Sequence, residues 1–261
     1  MPIGKFEGEV LRLIAANRRP ESHVADATVL NQSPTSPRFS EDIDLFHDTE
    51  DALDKSVELD TTLLAQSGFG VRITANQPYF KRAIIEKAGE VTKLEWARDS
   101  AFRFFPIEPD PELGYRLNLW DAATNKTLAA AGRAKVRDYV DLLNLHQHHL
   151  GLGALIWAAA GKDDGLSPGF IIEELARVQR YPKMDYDGLR LTQPLDSKIL
   201  KNIWIKALDE ARELQHVLLN APLGCFFLNA QGNPVCPTSA TLPTLRPHFG
   251  SLHGAWPKLV E

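Results

Sequence analysis

Two aspartates separated by a single residue, Asp42 and Asp44, stand in an apolar segment with Ile43, Leu45 and Phe46. Alternate side chains of a β-strand point to the same face, so this spacing predicts two carboxylates side by side. Neighbouring carboxylates repel each other, and Mg²⁺ is commonly held by one or two carboxylates together with substrate phosphates. The pattern favours metal-assisted phosphoryl or nucleotidyl transfer, with a solvated strand edge as the alternative.

A third carboxylate, Glu95, alternates with the apolar residues Leu94 and Trp96. On a strand it would point away from both of them. If that strand lies beside the first, Glu95 would serve as a further carboxylate on the metal side or as a general base. The alternative is an acid on the solvated face of a strand.

Lys126 and Arg133 are seven residues apart, so on a helix they share a face, with Ala130 between them. Small residues around a lysine let a ligand approach, and a cation here would hold nucleotide phosphates. A lysine on a solvated surface is the alternative. Asp138 and Asp141 share a face of the following helix, and Asp141 would orient Lys126 or Arg133 through a salt bridge.

The spacing of apolar residues, together with turn-forming and helix-capping residues, predicts the strands and helices that position these side chains. The predicted strands are 42–46, 71–75, 80–87 and 91–97, with a hairpin around 226–235. The predicted helices are 3–17, 50–67 capped by Thr49, 122–131 capped by Asp121, 137–149, 168–179 and 196–219. Residues 100–118 are predicted to be loop. This order indicates an α+β class with a small mixed sheet flanked by helices.

Composition sets the remaining expectations. The 261 residues carry a formal charge of -5, which does not favour a general nucleic-acid binder. We expect a first domain over residues 1–150 and a mainly helical region over 151–261. Two cysteines, an N-terminus without the apolar core of a signal peptide and the lack of a long apolar run favour a cytoplasmic protein with no membrane partner.

Taken in order, four motifs resemble the AbiEii/AbiGii-type nucleotidyltransferase toxins of the DNA-polymerase-β-like nucleotidyltransferase superfamily. The motifs are Pro-Arg-Phe-Ser-Glu-Asp-Ile-Asp-Leu-Phe-His-Asp at 37–48, Val-Thr-Lys-Leu-Glu at 91–95, Asn-Lys-Thr-Leu-Ala at 125–129 and Arg-Asp-Tyr-Val-Asp-Leu at 137–142. The resemblance covers roughly residues 20–150 and, more weakly, the helices that follow.

The resemblance implies a nucleotidyltransferase fold and a set of roles. Asp42 and Asp44 would bind Mg²⁺ with the NTP, and Lys126 and Asp141 match the family's lysine and following aspartate. Members of the family act as toxins beside an antitoxin protein, and characterised members add nucleotides to tRNA. The implied substrates are therefore an NTP and an RNA acceptor.

One departure from the family pattern concerns the phosphate-binding turn. The family places a Gly-Gly or Gly-Ser pair before the Asp-x-Asp strand, whereas this chain has Asp26-Ala27 there, with Thr28 as a substitute hydroxyl. Ala27 and Thr28 are the predicted nucleotide contacts of this turn, alongside Lys126 and Arg133. A carboxylate beside a triphosphate predicts weaker NTP binding. The rival hypotheses are an impaired member that binds RNA or a protein, and a purely structural α+β domain.

Overall fold

A computed structural model describes residues 3–33, 36–178 and 181–258 of the chain. The helices are α1 Lys5–Ile14, α2 Asp26–Leu30, α3 Glu50–Gln66, α4 Leu119–Arg133, α5 Val136–His148, α6 Leu152–Ala159, α7 Pro168–Ala176, α8 Lys183–Asp187 and α9 Ser197–Val217. The strands are β1 Ser22–Val24, β2 Asp42–His47, β3 Gly70–Gln77, β4 Phe80–Lys87, β5 Glu90–Arg98, β6 Phe102–Arg103, β7 Glu108–Asp110, β8 Gly114–Arg116, β9 Cys225–Leu228, β10 Arg246–Phe249 and β11 Ser251–Leu252.

The backbone forms two compact units. The first contains Met1–Ala101 and Pro106–Ala122, and the second contains Phe102–Phe105 and Ala123–Glu261. The domain boundary predicted at residue 150 falls inside the second unit. Within the described residues, no helix is both long enough and apolar enough to cross a membrane.

A seven-stranded mixed sheet, in the order β3-β4-β5-β2-β1-β8-β7, organises the first unit. β2 pairs in parallel with β5 and antiparallel with β1, and β3, β4 and β5 form an antiparallel meander. α1 and α3 pack against one side of this sheet. The α+β class and the mixed sheet predicted from the sequence are confirmed, although the sheet is larger than predicted.

Cap residues determine where several helices begin. Thr49 accepts a hydrogen bond from the Ala52 amide at 3.1 Å, as predicted. Ser167, which precedes α7, accepts one from the Phe170 amide at 3.2 Å. The predicted end of α7 at Gln179 lies outside the described residues.

Three predictions about elements were wrong in part. Residues 100–118 contain the short strands β6, β7 and β8 rather than only loop. Asp121 does not cap α4, because the helix begins at Leu119 and the Asn118 side chain accepts from the Trp120 amide at 2.9 Å. The predicted hairpin at 226–235 is reduced to an isolated Leu228–Pro234 bridge, since β9 pairs mainly with β10.

A buried ion pair joins α3 to the chain after α1. The Asp60 carboxylate accepts from Arg18 at 2.5 Å, from Asn17 at 2.9 Å, from the Trp96 indole at 2.9 Å and from Ser56 at 3.2 Å. Arg18 and Asp60 are fully buried. Four donors converge on one carboxylate, so this cluster fixes α3 against β5.

Helix packing organises the second unit. α6 is apolar on nearly every side and packs against the long helix α9. Gly153 makes this possible, because a Cβ there would come within 2.9 Å of the Ala211 Cα. Tyr139 of α5 packs against Trp204 of α9 with ring centroids 4.7 Å apart and ring planes tilted by 53°. The mainly helical character predicted for this part of the chain is confirmed.

The buried imidazole of His47 predicts a specific loss of stability in acid. Burial, reinforced by the charge of Arg18, lowers its pKa from 6.5 to about 4. Its Nδ1–H donates to the Ala97 carbonyl at 3.3 Å, and its Nε2 has no hydrogen-bond partner within the described residues. Between pH 6.5 and 4 the unfolded state takes up a proton that the folded state does not. The free energy of unfolding should therefore fall by about 3 kcal/mol across this window.

Urea denaturation at several pH values measures this effect. His47→Gln keeps a polar side chain and cannot titrate, so the difference between wild type and variant should change with pH over that window. A difference that is flat from pH 6.5 to 4 would contradict the prediction.

Candidate active site

The Asp-x-Asp pair lies on β2 in the predicted arrangement. Along this strand Ile43 and Leu45 are fully buried, while Asp42 and Asp44 are only partly covered. The two carboxylates therefore extend from the side of the sheet opposite to the buried apolar side chains. We refer to the side of the sheet that carries Asp42, Asp44 and Glu95 as the acid face.

Strand register brings Glu95 to this pair. In the parallel β2–β5 ladder Asp44 is the partner of Glu95, and Asp42 is the partner of Lys93. Because paired residues of adjacent strands point to the same side, Glu95 and Lys93 also extend from the acid face. The adjacency of the three carboxylates thus follows from pairing between two strands, while their chemical roles stay a prediction.

Basic side chains neutralise two of these acids. Lys93 Nζ lies 2.7 Å from Asp42 Oδ1, and Arg82 Nε donates to Glu95 Oε1 at 2.7 Å. Arg82 comes from β4, where it is the strand partner of Glu95, and its guanidinium lies 5.1 Å from the centroid of the Phe80 ring. Lys93 and Arg82 were not among the predicted site residues. The alternating pattern that identified Glu95 places Lys93 on the same face.

The carboxylate oxygens of the acid face suit a cation that is also coordinated by the phosphates of a bound substrate. Within the described residues, no group of three or more His, Cys, Asp or Glu is arranged to hold a metal ion. Two carboxylates on one face, with oxygens from substrate phosphates completing the shell, match the way Mg²⁺ is usually bound. Asp42 and Asp44 would hold such an ion, and Glu95 stays outside the predicted ligand pair.

The turn before α2 lies against the Asp-x-Asp strand. Val24 pairs with Leu45, and the Ala25 amide donates to the Asp44 carbonyl at 3.0 Å. Asp26 follows with φ +48°, a left-handed conformation that glycine adopts without penalty and that other residues adopt at a cost. The backbone at Asp26 therefore has a conformation that favours glycine, although the residue there carries a carboxylate.

Ala27 and Thr28, the predicted nucleotide contacts of this turn, are both buried in α2. Thr28 is fully buried, and its Oγ1 lies 3.3 Å from Ser40 Oγ and 3.4 Å from the Asp42 carbonyl oxygen. Its hydroxyl therefore connects α2 to the beginning of β2, and its contact with a nucleotide stays a prediction. Ala27 is buried as well, and its predicted contact with a nucleotide is likewise untested by the fold.

The predicted basic residues form a cluster within the second unit. Lys126 Nζ lies 3.0 Å from Asp138 Oδ1 and 3.4 Å from Asp141 Oδ2. Arg133 donates two hydrogen bonds to Asp138, from Nε at 2.7 Å and from Nη2 at 2.8 Å. The predicted pairing of Lys126 with Asp141 is therefore present, but Asp138 is the centre of the cluster. The sequence pattern predicts only that Asp138 shares a helix face with Asp141.

Burial and charge act in opposite directions on Asp138. Burial alone would raise its pKa, but hydrogen bonds from Arg133 and the charges of Lys126 and Arg133 lower the pKa from 3.8 to about 2. The Lys126 side chain is 0% exposed. A buried ammonium needs paired carboxylates, and this pairing holds Lys126 in one position. A ligand phosphate would have to enter this cluster to reach Nζ.

Solved structures, rather than related sequences, identify the fold of this chain. No protein-family model and no curated protein sequence matches the chain. Solved structures do match at the level of the fold.

The chain is similar to MenT4, a nucleotidyltransferase toxin from Mycobacterium tuberculosis H37Rv, with a TM-score of 0.57 and 17% identity over 80% of this chain and 82% of that one. It is also similar to JHP933 from Helicobacter pylori, with a TM-score of 0.52 and 17% identity over 82% of this chain and 94% of that one. The predicted nucleotidyltransferase fold is thereby confirmed.

Proposed function

We propose that this protein is a metal-dependent nucleotidyltransferase that moves a nucleotide from an NTP to an RNA acceptor, with tRNA as the expected acceptor. The observation that carries the proposal is the acid face, where Asp44 and Glu95 are in register on parallel strands and Asp42 lies beside them. The similarity of the fold to a nucleotidyltransferase toxin supports the same reaction class.

Each residue of the acid face has a distinct part in the proposed reaction. Asp42 and Asp44 would hold Mg²⁺ together with the triphosphate, and the ion would supply charge neutralisation at the transferring phosphate. Glu95 would accept the proton of the attacking hydroxyl as a general base. The hydroxyl oxygen would form a bond to the α-phosphorus of the NTP, and the bond to the β-phosphate would break to release pyrophosphate. Within the proposal, Lys126 contacts phosphate oxygens and Asp141 orients Lys126, while Arg133 adds a second cation.

Transfer of labelled nucleotide tests the proposal directly. The protein would be incubated with Mg²⁺, bulk tRNA and each of the four α-³²P NTPs in turn, and labelled RNA would be resolved on a denaturing gel. Label that enters tRNA from at least one NTP supports the proposal. If neither transfer nor NTP binding occurs, the protein is better explained as a module that binds RNA or a protein partner.

Asp26 favours that second candidate, an impaired member of the same class. Its carboxylate lies in the turn that contacts β2 beside Asp44, where a triphosphate would approach. Like charges about 4 Å apart repel by about 4 kcal/mol at an effective dielectric constant of 20. This penalty would weaken NTP binding without altering the carboxylates of the acid face.

We expect Asp26→Gly to raise the affinity for a Mg²⁺–NTP complex and, with it, the rate of transfer. The change removes one negative charge and relieves the left-handed backbone of about 1 kcal/mol of strain. Calorimetric titration with each of the four NTPs and Mg²⁺ measures the affinity. Tight binding by the wild type that is unchanged in the variant would show that Asp26 is not in the phosphate turn.

Two control variants separate charge from backbone strain. Asp26→Ala removes the charge and keeps the side-chain penalty of the left-handed conformation. Ala134→Gly relieves a similar conformation, φ +46°, in the link between α4 and α5. It should stabilise the protein by a similar amount and leave nucleotide affinity unchanged.

The biological setting belongs to the same proposal. We propose that the protein acts in the cytoplasm as the toxin of a toxin–antitoxin pair, as the resemblance implies. A small antitoxin-like reading frame next to its gene, whose product suppresses growth arrest on co-expression, would support this. Growth that is unaffected by expression of the active enzyme alone would count against it.

A further inference from the structure

We infer that Lys93 is a tethered counter-ion that holds Asp42 until Mg²⁺ arrives and that then binds the phosphates delivered with the metal. This inference rests on the proposed function and adds a residue to the same site. It starts from the 2.7 Å contact between Lys93 Nζ and Asp42 Oδ1.

Position is the first support. Lys93 is the direct strand partner of Asp42, and two residues further on Glu95 is the partner of Asp44. The lysine is thus built into the acid face by strand register. Any cation that binds Asp42 must therefore come close to the ammonium group of Lys93.

Exposure is the second support. The Lys93 side chain is 49% exposed, whereas that of Asp42 is 14% exposed. An ion pair with one such exposed partner contributes little to stability, so the lysine can leave the carboxylate at small cost. Asp42, in contrast, is held in place by β2.

Charge then determines what the lysine does. A dication beside Asp42 attracts the carboxylate more strongly than an ammonium does, and it repels the ammonium with twice the force of a single charge. Lys93 stays attached to β5, so its Nζ remains within a side chain's length of the metal. The anions that arrive there with Mg²⁺ are the phosphates of an NTP, and an ammonium is a suitable point-charge ligand for them.

The inference makes two predictions of opposite sign for Lys93→Gln. Mn²⁺ alone should bind about twofold to fivefold more tightly, because a competing cation of an exposed pair is removed. Mn²⁺ with an α,β-methylene NTP analogue should bind about tenfold more weakly, because a charge-assisted phosphate contact is lost. Electron paramagnetic resonance measures free Mn²⁺, and calorimetry measures the analogue. All four analogues would be titrated.

Arg72→Gln is the matched control. Arg72 is an exposed cation on β3. It pairs with Ile84 on β4, and Ile84 pairs in turn with Lys93 on β5. It lies three strands from Asp42, about 14 Å away, where salt screens its charge. Arg72→Gln should leave the affinity for Mn²⁺ alone and the affinity for Mn²⁺ with the NTP analogue unchanged. If it reproduces both shifts, the effect is one of general surface charge and the inference is overturned.

The remaining outcomes separate this inference from the proposed function. Loss of Mn²⁺ binding in Asp42→Asn, without a gain in Lys93→Gln, would overturn the inference alone. Mn²⁺ binding that is unchanged in Asp42→Asn would remove both the metal site and the role of Lys93. Weaker binding of both ligands by Lys93→Gln would mean that the lysine only supports the structure.

Discussion

Asp44→Asn is expected to lower nucleotide transfer by about 100-fold or more. Replacing a carboxylate ligand by a neutral amide removes charge stabilisation of several kcal/mol from a metal-assisted phosphoryl reaction, and each 1.36 kcal/mol corresponds to about tenfold in rate. The substitution preserves the shape of the side chain. It also leaves intact the hydrogen bond that the Ala25 amide donates to the backbone carbonyl of residue 44. Transfer of labelled nucleotide to tRNA gives the rate.

Glu86→Gln is the matched control for this experiment. Glu86 is an exposed acid on β4, and strand alternation places it on the same side of the sheet as Arg82. Its substitution removes the same charge and should leave the rate within about twofold of wild type, as expected for a surface change away from the reacting groups. Full activity in Asp44→Asn, with wild-type folding by circular dichroism, would disprove the proposed metal site.

The largest effect on stability is expected at Asp60. Asp60→Asn leaves the guanidinium of Arg18 buried without a carboxylate, and breaking a buried ion pair by removing one partner costs about 3–5 kcal/mol. Burial already lowers the pKa of Arg18, an effect that Asp60 opposes through its charge and hydrogen bonds. Urea denaturation followed by circular dichroism measures the loss.

A double variant tests whether the penalty comes from the unpaired charge. Arg18→Met combined with Asp60→Leu replaces the pair by apolar side chains, and such replacements are often neutral or stabilising. It should recover most of the stability that Asp60→Asn loses. An equally unstable double variant would show that the hydrogen bonds from Asn17, Ser56 and Trp96 matter more than charge balance.

Much of the first unit can be predicted from sequence because its signals are local. Alternating apolar residues identified β2, β4 and β5, and Thr49 marked the beginning of α3. The strands within residues 100–118 could not be predicted, because strands of two or three residues are too short to show a period. The burial of Asp60 could not be predicted, because a single acid in an amphipathic helix has the pattern of a surface residue. Only the tertiary structure places Arg18 against it.

The candidate site shows the same division between local and tertiary information. The spacing of Asp42 and Asp44 and the alternation around Glu95 could be read directly, and register then brought them together. The choice between Asp138 and Asp141 could not be made in advance. Both aspartates can reach Lys126, and only the position of Arg133 makes Asp138 the central acid.

The parallel pairing of β2 with β5 has a consequence for how the polypeptide acquires its chemistry. Antiparallel neighbours can be joined by a short turn, but these two strands are connected through α3, β3 and β4. Closing so long a connection is slow and carries an entropy cost before the contacts form. During synthesis, a chain that has emerged only as far as β4 holds Asp42 and Asp44 without the strand that aligns Glu95 and Lys93. Truncated or stalled translation products that lack β5 would therefore be inert.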